Sequence, residues 1–413
     1  MVTPDSTKKK ILLLTPHLTF GGAERVFHDH GEAFARRGHQ VTECLFDQKV
    51  IAFPTQNALV SLDVPARPGV PGKLRTFWER VRRTGQIKKA TSAQVCISHL
   101  EGADYLNLLS KGPERVILCI HNSKRHDPNI RGAVGWLRRT ILMPQLYQRA
   151  DKIVCVSRDL RQELLDTFGL PPEKVVTINN FFDVEGIARK SREALPPAEE
   201  ELFATRPVLL ASGRLGPEKN QLALLPVLAE LHRRGQTATR LVLLGDGPVR
   251  PQLLARCREL GLRAWQAEDG QPFGPDYDVY FLGFQTNPFR YLARATVSLL
   301  PSLTEGFPMA LCESMACRVP VASADCPTGP REILAPQTPA SQYAAAPEWA
   351  EFGLLLPILT PGPGLPAAVS VWADSLSTLL ADPELRRRYV AKAHERVQDF
   401  APDRIMQQWE AVL

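Results

Sequence analysis

Long apolar runs are missing from this sequence: none approaches the roughly 20 residues that a membrane-crossing helix needs. No secretory leader is expected either, since the polar stretch Met1 to Lys10 passes straight into a strand-like run. The eight cysteines include no Cys-x-x-Cys pair, and Cys44, Cys96, Cys119 and Cys155 fall in apolar or strand-like runs. Reduced, mostly buried thiols of a cytoplasmic protein are therefore expected. The early pair Gly21-Gly22 is followed by no Gly-Lys-Ser/Thr and opens no G-x-G-x-x-G. It is neither a Walker loop nor the dinucleotide fingerprint.

What is present describes a globular protein of more than one core. The chain has 413 residues, 44% apolar and 23% charged, which predicts two domains. Charge is uneven. Residues 1–182 carry 27 Lys and Arg against 17 Asp and Glu, while the remainder carries 23 against 27. The excess concentrates in residues 73–89, where seven of 17 positions are basic and Glu79 is the one acid. Read as a helix that Gly85 ends, this segment puts Leu74, Phe77, Trp78 and Val81 on one face. An apolar face rimmed by cations suits the anionic surface of a membrane, with phospholipid ahead of nucleic acid as the partner. The same face could instead pack on the first domain's sheet, or the cations hold a soluble acidic ligand.

Lys10 to Thr15 reads as a buried strand. The loop Pro16 to Phe20 leads to Gly21-Gly22, and Ala23, Val26, Phe27, His30 and Phe34 then recur at helical spacing. Further strands are expected at 40–46, 93–98, 115–120 and 152–156, with helical stretches between. Such alternation implies a parallel sheet with helices on both faces, whose ligands gather beyond the carboxyl ends of the strands. His99 and His121 stand at two such ends, with His121 the stronger candidate. After Phe182 the polar stretch 185–206, with Pro196-Pro197 and three consecutive acids from Glu199, reads as a short helix and connector.

The second half restarts the rhythm with strands at 208–212, 241–244, 279–282, 297–300 and 319–323. Arg214 and Lys219 flank a loop at one strand's end, where two cations could hold a diphosphate. At an equivalent end lies Ser302-Leu-Thr-Glu-Gly-Phe-Pro-Met-Ala-Leu-Cys-Glu-Ser-Met-Ala316. Pro308 suits the first turn of a helix that carries Glu313. Free N–H groups at a helix start favour an anion, and carboxylates can take sugar or ribose hydroxyls. Taken alone, Glu305 could equally be a loop acid and Glu313 a solvated helix residue.

Together these pieces form a pattern. Gly21-Gly22-Ala-Glu-Arg25, Gly213-Arg-Leu-Gly-Pro-Glu-Lys-Asn220, Gly245-Asp-Gly247, Glu305-Gly-Phe-Pro308 with Glu313, and Asp325 to Ile333 stand in one order over nearly the whole chain. In that order and spacing the sequence resembles family 4 of the glycosyltransferases, retaining enzymes that use sugar nucleotides. The resemblance implies an α/β, GT-B fold: two facing Rossmann-like domains with parallel sheets and an interdomain cleft. It implies residues 1–183 as an acceptor domain, 184–206 as a connector and 207–390 as a nucleotide-sugar donor domain. Residues 391–413 would be a C-terminal helical segment packing back on the first domain.

By the same resemblance Arg214 and Lys219 hold the donor diphosphate, and Gly21-Gly22 approaches it from the other domain. Glu305 touches the transferred sugar, Glu313 the ribose, and His121 lies beside the reacting sugar. The amides of Gly306, Phe307, Pro308 and Met309 belong near the diphosphate (Pro308 through its place in the turn), and Gly283-Phe284 near the base. The donor would be a UDP or GDP type sugar, with no cofactor and no metal. The one Asp-x-Asp match, Asp276-Tyr-Asp278, precedes a strand and is read as loop. Residues 268–277 look inserted, and 337–352 look longer than usual. The acceptor would be a saccharide or lipid-linked saccharide of cell-surface synthesis, at the inner face of a membrane. The family's favoured mechanism is front-face attack, with the departing phosphate accepting the proton; Glu305 is the nucleophile on the competing account. A sugar-nucleotide epimerase, a phosphorylase on the same fold, and a silent partner subunit are the alternatives.

Overall fold

A computed structural model describes residues 8–19, 21–48, 50–125, 132–339 and 342–413. Residues 1–7 of the polar lead, Phe20, and Ala340 and Ser341 of the long stretch before Gly353 lie outside the described residues. The chain divides into two compact units, Met1–Asn180 with Pro402–Leu413, and Phe181–Ala401.

In the first unit, Leu12, Leu13 and Leu14 are all wholly buried, so side chains on both faces of their strand meet protein. Continuous apolar runs of this kind belong to parallel sheets covered on both sides. Among the described residues seven strands form the sheet: β1 (Lys10–Thr15), β2 (Gln40–Leu45), β3 (Ala58–Ser61), β4 (Val95–His99), β5 (Arg115–Ile120), β6 (Lys152–Cys155) and β7 (Val175–Thr177). They stand in the order β3-β2-β1-β4-β5-β6-β7, every neighbouring pair parallel. Helix α1 (Gly22–Arg36) follows β1 and packs on it and on β4.

Among the described residues the second unit has eight strands: β8 (Val208–Ser212), β9 (Arg240–Leu244), β10 (Ala264–Gln266), β11 (Val279–Phe281), β12 (Val297–Leu300), β13 (Val321–Ala324), β14 (Glu348–Trp349) and β15 (Leu354–Leu356). Their order is β10-β11-β9-β8-β12-β13-β15-β14, parallel except for the terminal β14/β15 pair. Two such sheets are the doubly wound architecture that the alternation predicts. All eight cysteines are buried free thiols.

Segment 184–206, expected as a short helix and connector, holds two helices, Val184–Lys190 and Pro197–Thr205, within the second unit. Arg294 Nε reaches Glu200 at 2.7 Å and Asn287 donates to the Lys190 carbonyl, which fastens both. Of residues 391–413, only Pro402–Leu413 joins the first unit. There Arg37 bonds Asp403 and Glu410, each at 3.1 Å, and Arg115 Nε donates to the Val412 carbonyl.

The basic segment is helix α2 (Gly69–Ala90), and it corrects two expectations. Gly85 lies inside the helix, five residues before its end. The apolar residues also divide: Val81 is buried and Phe77 packs against the core, while Val70, Leu74 and Trp78 are exposed. Lys88 is buried as well, with Nζ 2.7 Å from Glu114 Oε1 and 2.8 Å from the Asn107 carbonyl oxygen. A buried ion pair that loses one partner leaves an uncompensated charge, at a cost of about 3 kcal/mol or more. Lys88→Met should therefore lower stability in urea unfolding by about 3 kcal/mol, while exposed Lys89→Met changes it by less than about 0.5 kcal/mol. Equal effects would place Lys88 among the solvated cations.

Candidate functional site

The second unit gathers its loops at the carboxyl ends of β8, β9, β11 and β12. Gly213 N donates to the Leu244 carbonyl, Leu215 N to Asp246 and Gly245 N to Gly283, at 2.7 to 3.0 Å. Gly245 has φ +122, and a Cβ there would lie 2.1 Å from the Gly213 carbonyl oxygen. The Gly-Asp-Gly turn after β9 can thus lie against the loop after β8 only because Gly245 and Gly247 lack side chains.

On this base the loop after β8 ends in a single 3-10 turn, Pro217–Lys219, and Asn220 takes the left-handed conformation at φ 54. The Asn220 side-chain amide donates to the Pro301 and Leu359 carbonyls, tying this loop to the one after β12. Leu303 N completes the tie by donating to the Glu218 carbonyl.

Lys219 and Glu305 then meet. Lys219 Nζ stands 2.8 and 2.9 Å from the two Glu305 carboxylate oxygens, and Ser302 Oγ donates to Oε1 at 2.6 Å. Glu305 is only 9% exposed. Its backbone is pinned by Glu305 N to the Pro327 carbonyl and by the Thr328 hydroxyl to its own carbonyl. Burial works to lower the Lys219 pKa, but the Glu305 carboxylate outweighs it and holds the ammonium above the ordinary lysine value. Arg214 is different: its side chain is 58% exposed and bonds Glu218. The structure therefore joins Lys219 to Glu305 and leaves Arg214 at the surface.

The helix Met309–Ala316 begins after Pro308 and carries Glu313, which is half-buried. Phe307 is not a ligand-facing side chain. It is 5% exposed and packs against Phe400 and Phe182, with ring centroids 5.1 and 6.4 Å away. Gly283 adopts φ +65 after β11, and Phe284 beside it is exposed. Asp278 precedes β11, where its carboxylate accepts from Arg263 N at 2.8 Å, consistent with a loop role. Residues 268–277, expected as an insertion, are held by Trp265 Nε1 donating to the Gln271 carbonyl and the Tyr280 hydroxyl to that of Gly274. Arg331, in the family-like stretch after β13, is buried and bridges Asp325 and Glu348.

In the first unit, Gly21 caps α1 and Glu24 turns back to accept from Thr19 Oγ1 at 3.2 Å, with His17 Nδ1 3.0 Å away. A Cβ on Gly22 would meet nothing within 4 Å, so the backbone there is open to a ligand. Beside this loop, Pro16, His17, Thr19, Phe46, Asp47, Val50 and Arg80 line an open cleft of about 400 Å³. His121 follows β5 and is 8% exposed, with Nε2 2.9 Å from His99 Nδ1. Among the described residues, His30, His99 and Cys119 bring ligand-type atoms within 4.8 Å of one another, all buried. The Ser302, Asn220 and Thr328 contacts and the His99 partnership escaped the sequence reading. Only the placement of His99 at a strand end hinted at any of them.

Comparison with known families agrees with these loops. Residues 206–352 match the glycosyl transferases group 1 and residues 20–185 match glycosyltransferase family 4. The chain belongs to this family of glycosyltransferases. It is 30% identical over 259 residues to the Campylobacter jejuni N-acetylgalactosamine-N,N'-diacetylbacillosaminyl-diphospho-undecaprenol 4-alpha-N-acetylgalactosaminyltransferase, covering 63% of this chain and 59% of that one. The chain thus spans about three fifths of the length of that relative. It is 23% identical over 407 residues to the amylovoran biosynthesis glycosyltransferase AmsD of Erwinia amylovora, covering 98% and 99% of the two chains. The fold is similar to that of Anabaena HepE in complex with UDP and glucose, with a TM-score of 0.70, 19% identity and 98% of each chain covered.

The Lys219–Glu305 contact gives a direct test. A charge-assisted hydrogen bond contributes about 1.5–3 kcal/mol. A double-mutant cycle of Lys219→Met and Glu305→Gln, read by chemical unfolding, should show a coupling in that range. Additive losses would mean that the two side chains do not hold each other.

Proposed function

We propose that this chain is a retaining glycosyltransferase. It moves a hexose or N-acetylhexosamine from a UDP or GDP sugar to a saccharide or lipid-linked saccharide in cell-surface polysaccharide or glycolipid synthesis. The observation that carries this reading is the Lys219–Glu305 pair at the carboxyl ends of β8 and β12, in a chain of this family. Lys219 would turn one N–H toward the leaving diphosphate while Glu305 accepts from sugar hydroxyls. Arg214, exposed and paired with Glu218, would swing to the phosphates. The amides from Gly306 to Met309 would join them, Glu313 would take the ribose, and Gly283 with Phe284 would lie near the base. In the first unit Gly21, Gly22 and His121 would keep the roles the resemblance implies.

Two cations and backbone amides would stabilise the departing diphosphate, so no metal is called for in this reading. Its departing oxygen would accept the acceptor's proton, giving retention by front-face attack. The relatives' names support the substrate class: one acts on a diphospho-undecaprenol saccharide and another in amylovoran biosynthesis. A panel of sugar nucleotides, screened for slow donor hydrolysis and transfer with a chelator present, tests this reading. One UDP or GDP sugar should turn over in chelator. Arg214→Ala and Lys219→Ala should each weaken nucleotide binding in calorimetry by about tenfold or more. Turnover abolished by chelator and restored by magnesium, or unchanged nucleotide affinity in both variants, contradicts it.

Peripheral contact with an anionic membrane at its inner face belongs to the same reading. No helix among the described residues is long and apolar enough to cross a membrane. Exposed apolar side chains instead cluster on two helical segments of the first unit: Val70, Leu74 and Trp78 of α2, and Val134, Trp136, Leu137, Ile141 and Leu142. Lys73, Arg75, Arg82, Arg83 and Lys89 are exposed on α2. Each basic residue near an anionic surface contributes about 1 kcal/mol, so a few suffice for reversible binding. The protein should co-sediment with anionic liposomes and not with neutral ones, and Arg82→Gln with Arg83→Gln and Lys89→Gln should release it. Binding that ignores lipid charge or survives the triple change removes α2 from this role.

A further inference from the structure

His99 and His121 come from neighbouring strands. β4 and β5 pair with His99 opposite Cys119, and His121 follows β5 directly. The imidazoles stack with centroids 5.0 Å apart and planes 24° apart, and His99 Nδ1 stands 2.9 Å from His121 Nε2. Phe27 meets the His99 ring edge-on at 5.3 Å, and His30 packs on it at the same distance. His99 is wholly buried between them. Its orientation is set by packing, and so is the direction of the contact.

A nitrogen-to-nitrogen bond of this length holds one proton. Burial keeps both rings neutral: it pushes the His121 pKa down to about 3, with Lys124 nearby adding to the effect, and places His99 well below the ordinary value. One ring must therefore donate and the other accept. The remaining His99 nitrogen, Nε2, decides which. It is buried and has no hydrogen-bond partner. If His121 donated, neutral His99 would carry its proton on Nε2, as a buried N–H with no acceptor. Buried orphan N–H groups are rarer than under-satisfied acceptors. If His99 donates, Nε2 is a bare lone pair. The Cys119 sulfur and a His30 ring nitrogen both lie within 4.8 Å of a His99 ring nitrogen, and burial keeps the thiol protonated.

We propose that His99 is a positioning residue that donates from Nδ1 to His121 Nε2, so that His121 carries its own proton on Nδ1. His121 then offers its free edge as a hydrogen-bond donor to an oxygen of its ligand, and has no nitrogen left to take a proton. The catalytic part rests on the reading that His121 touches the transferred sugar. A His121 that donates reads an oxygen of that sugar, which makes the pair a determinant of donor choice.

The tautomer can be read directly. With the nine histidines labelled in 15N, two-bond proton–nitrogen correlations separate protonated from bare ring nitrogens, and His121→Ala identifies the His121 signals. In the native protein Nδ1 of His121 should be the protonated nitrogen. His99→Asn keeps an amide N–H near the place of Nδ1, and His99→Phe removes it. The Asn variant should keep the tautomer and most of the turnover. The Phe variant should lose the single tautomer and about tenfold in kcat. A native His121 with its proton on Nε2 overturns the proposal. So does a folded His99→Asn as impaired as His99→Phe. Full turnover by His121→Ala would sink the sugar contact instead, while the spectrum still decides the tautomer.

Discussion

A carboxylate that is 9% exposed needs a counter-charge, and Lys219 supplies it from another loop. Much of the second unit's site follows from that requirement. The loop after β8 must bring Lys219 across to the loop after β12, which Asn220 in its left-handed conformation allows by bonding Pro301 and Leu359. The Gly213 carbonyl must sit against Gly245, which excludes a side chain there. Ser302 takes one lone pair of the carboxylate, so Glu305 is oriented before any ligand arrives. Preorganised charge of this kind acts without reorganisation when a leaving group departs.

The first unit builds its own polar centre by a different route. Its sheet and α1 enclose three histidines and Cys119 in a region otherwise filled by Phe27, Phe34 and Trp409. Burial makes the rings neutral, and neutral rings hold fixed donors and acceptors. One unit thus stores charge in a pair, and the other stores direction in a hydrogen bond.

Strands with continuous apolar runs could be read from the sequence because burial on both faces demands them. β3, β7, β10, β14 and β15 were not read: they span two to four residues, and all but β15 are partly exposed, while β15 is buried but only three residues long. The α2 periodicity was legible, but not which side packs, since Val81 and Trp78 look alike on a helical wheel and meet core and solvent respectively. Lys88 shows the same limit, because its partner Glu114 lies 26 residues away. In the site, Lys219 and Glu305 stood out by their positions at strand ends. That they bond each other, that Arg214 does not join them and that Phe307 turns into the core depend on loop packing no local pattern encodes.

On the proposed function, this arrangement transfers a sugar with its anomeric configuration kept. Proton NMR of the product, taken before any anomeric equilibration, reads that configuration from the coupling at the transferred anomeric carbon. An α-linked donor should give an α-linked product. A β-linked product from the same donor, or no transfer from any sugar nucleotide to any saccharide or lipid-linked acceptor, would contradict the account.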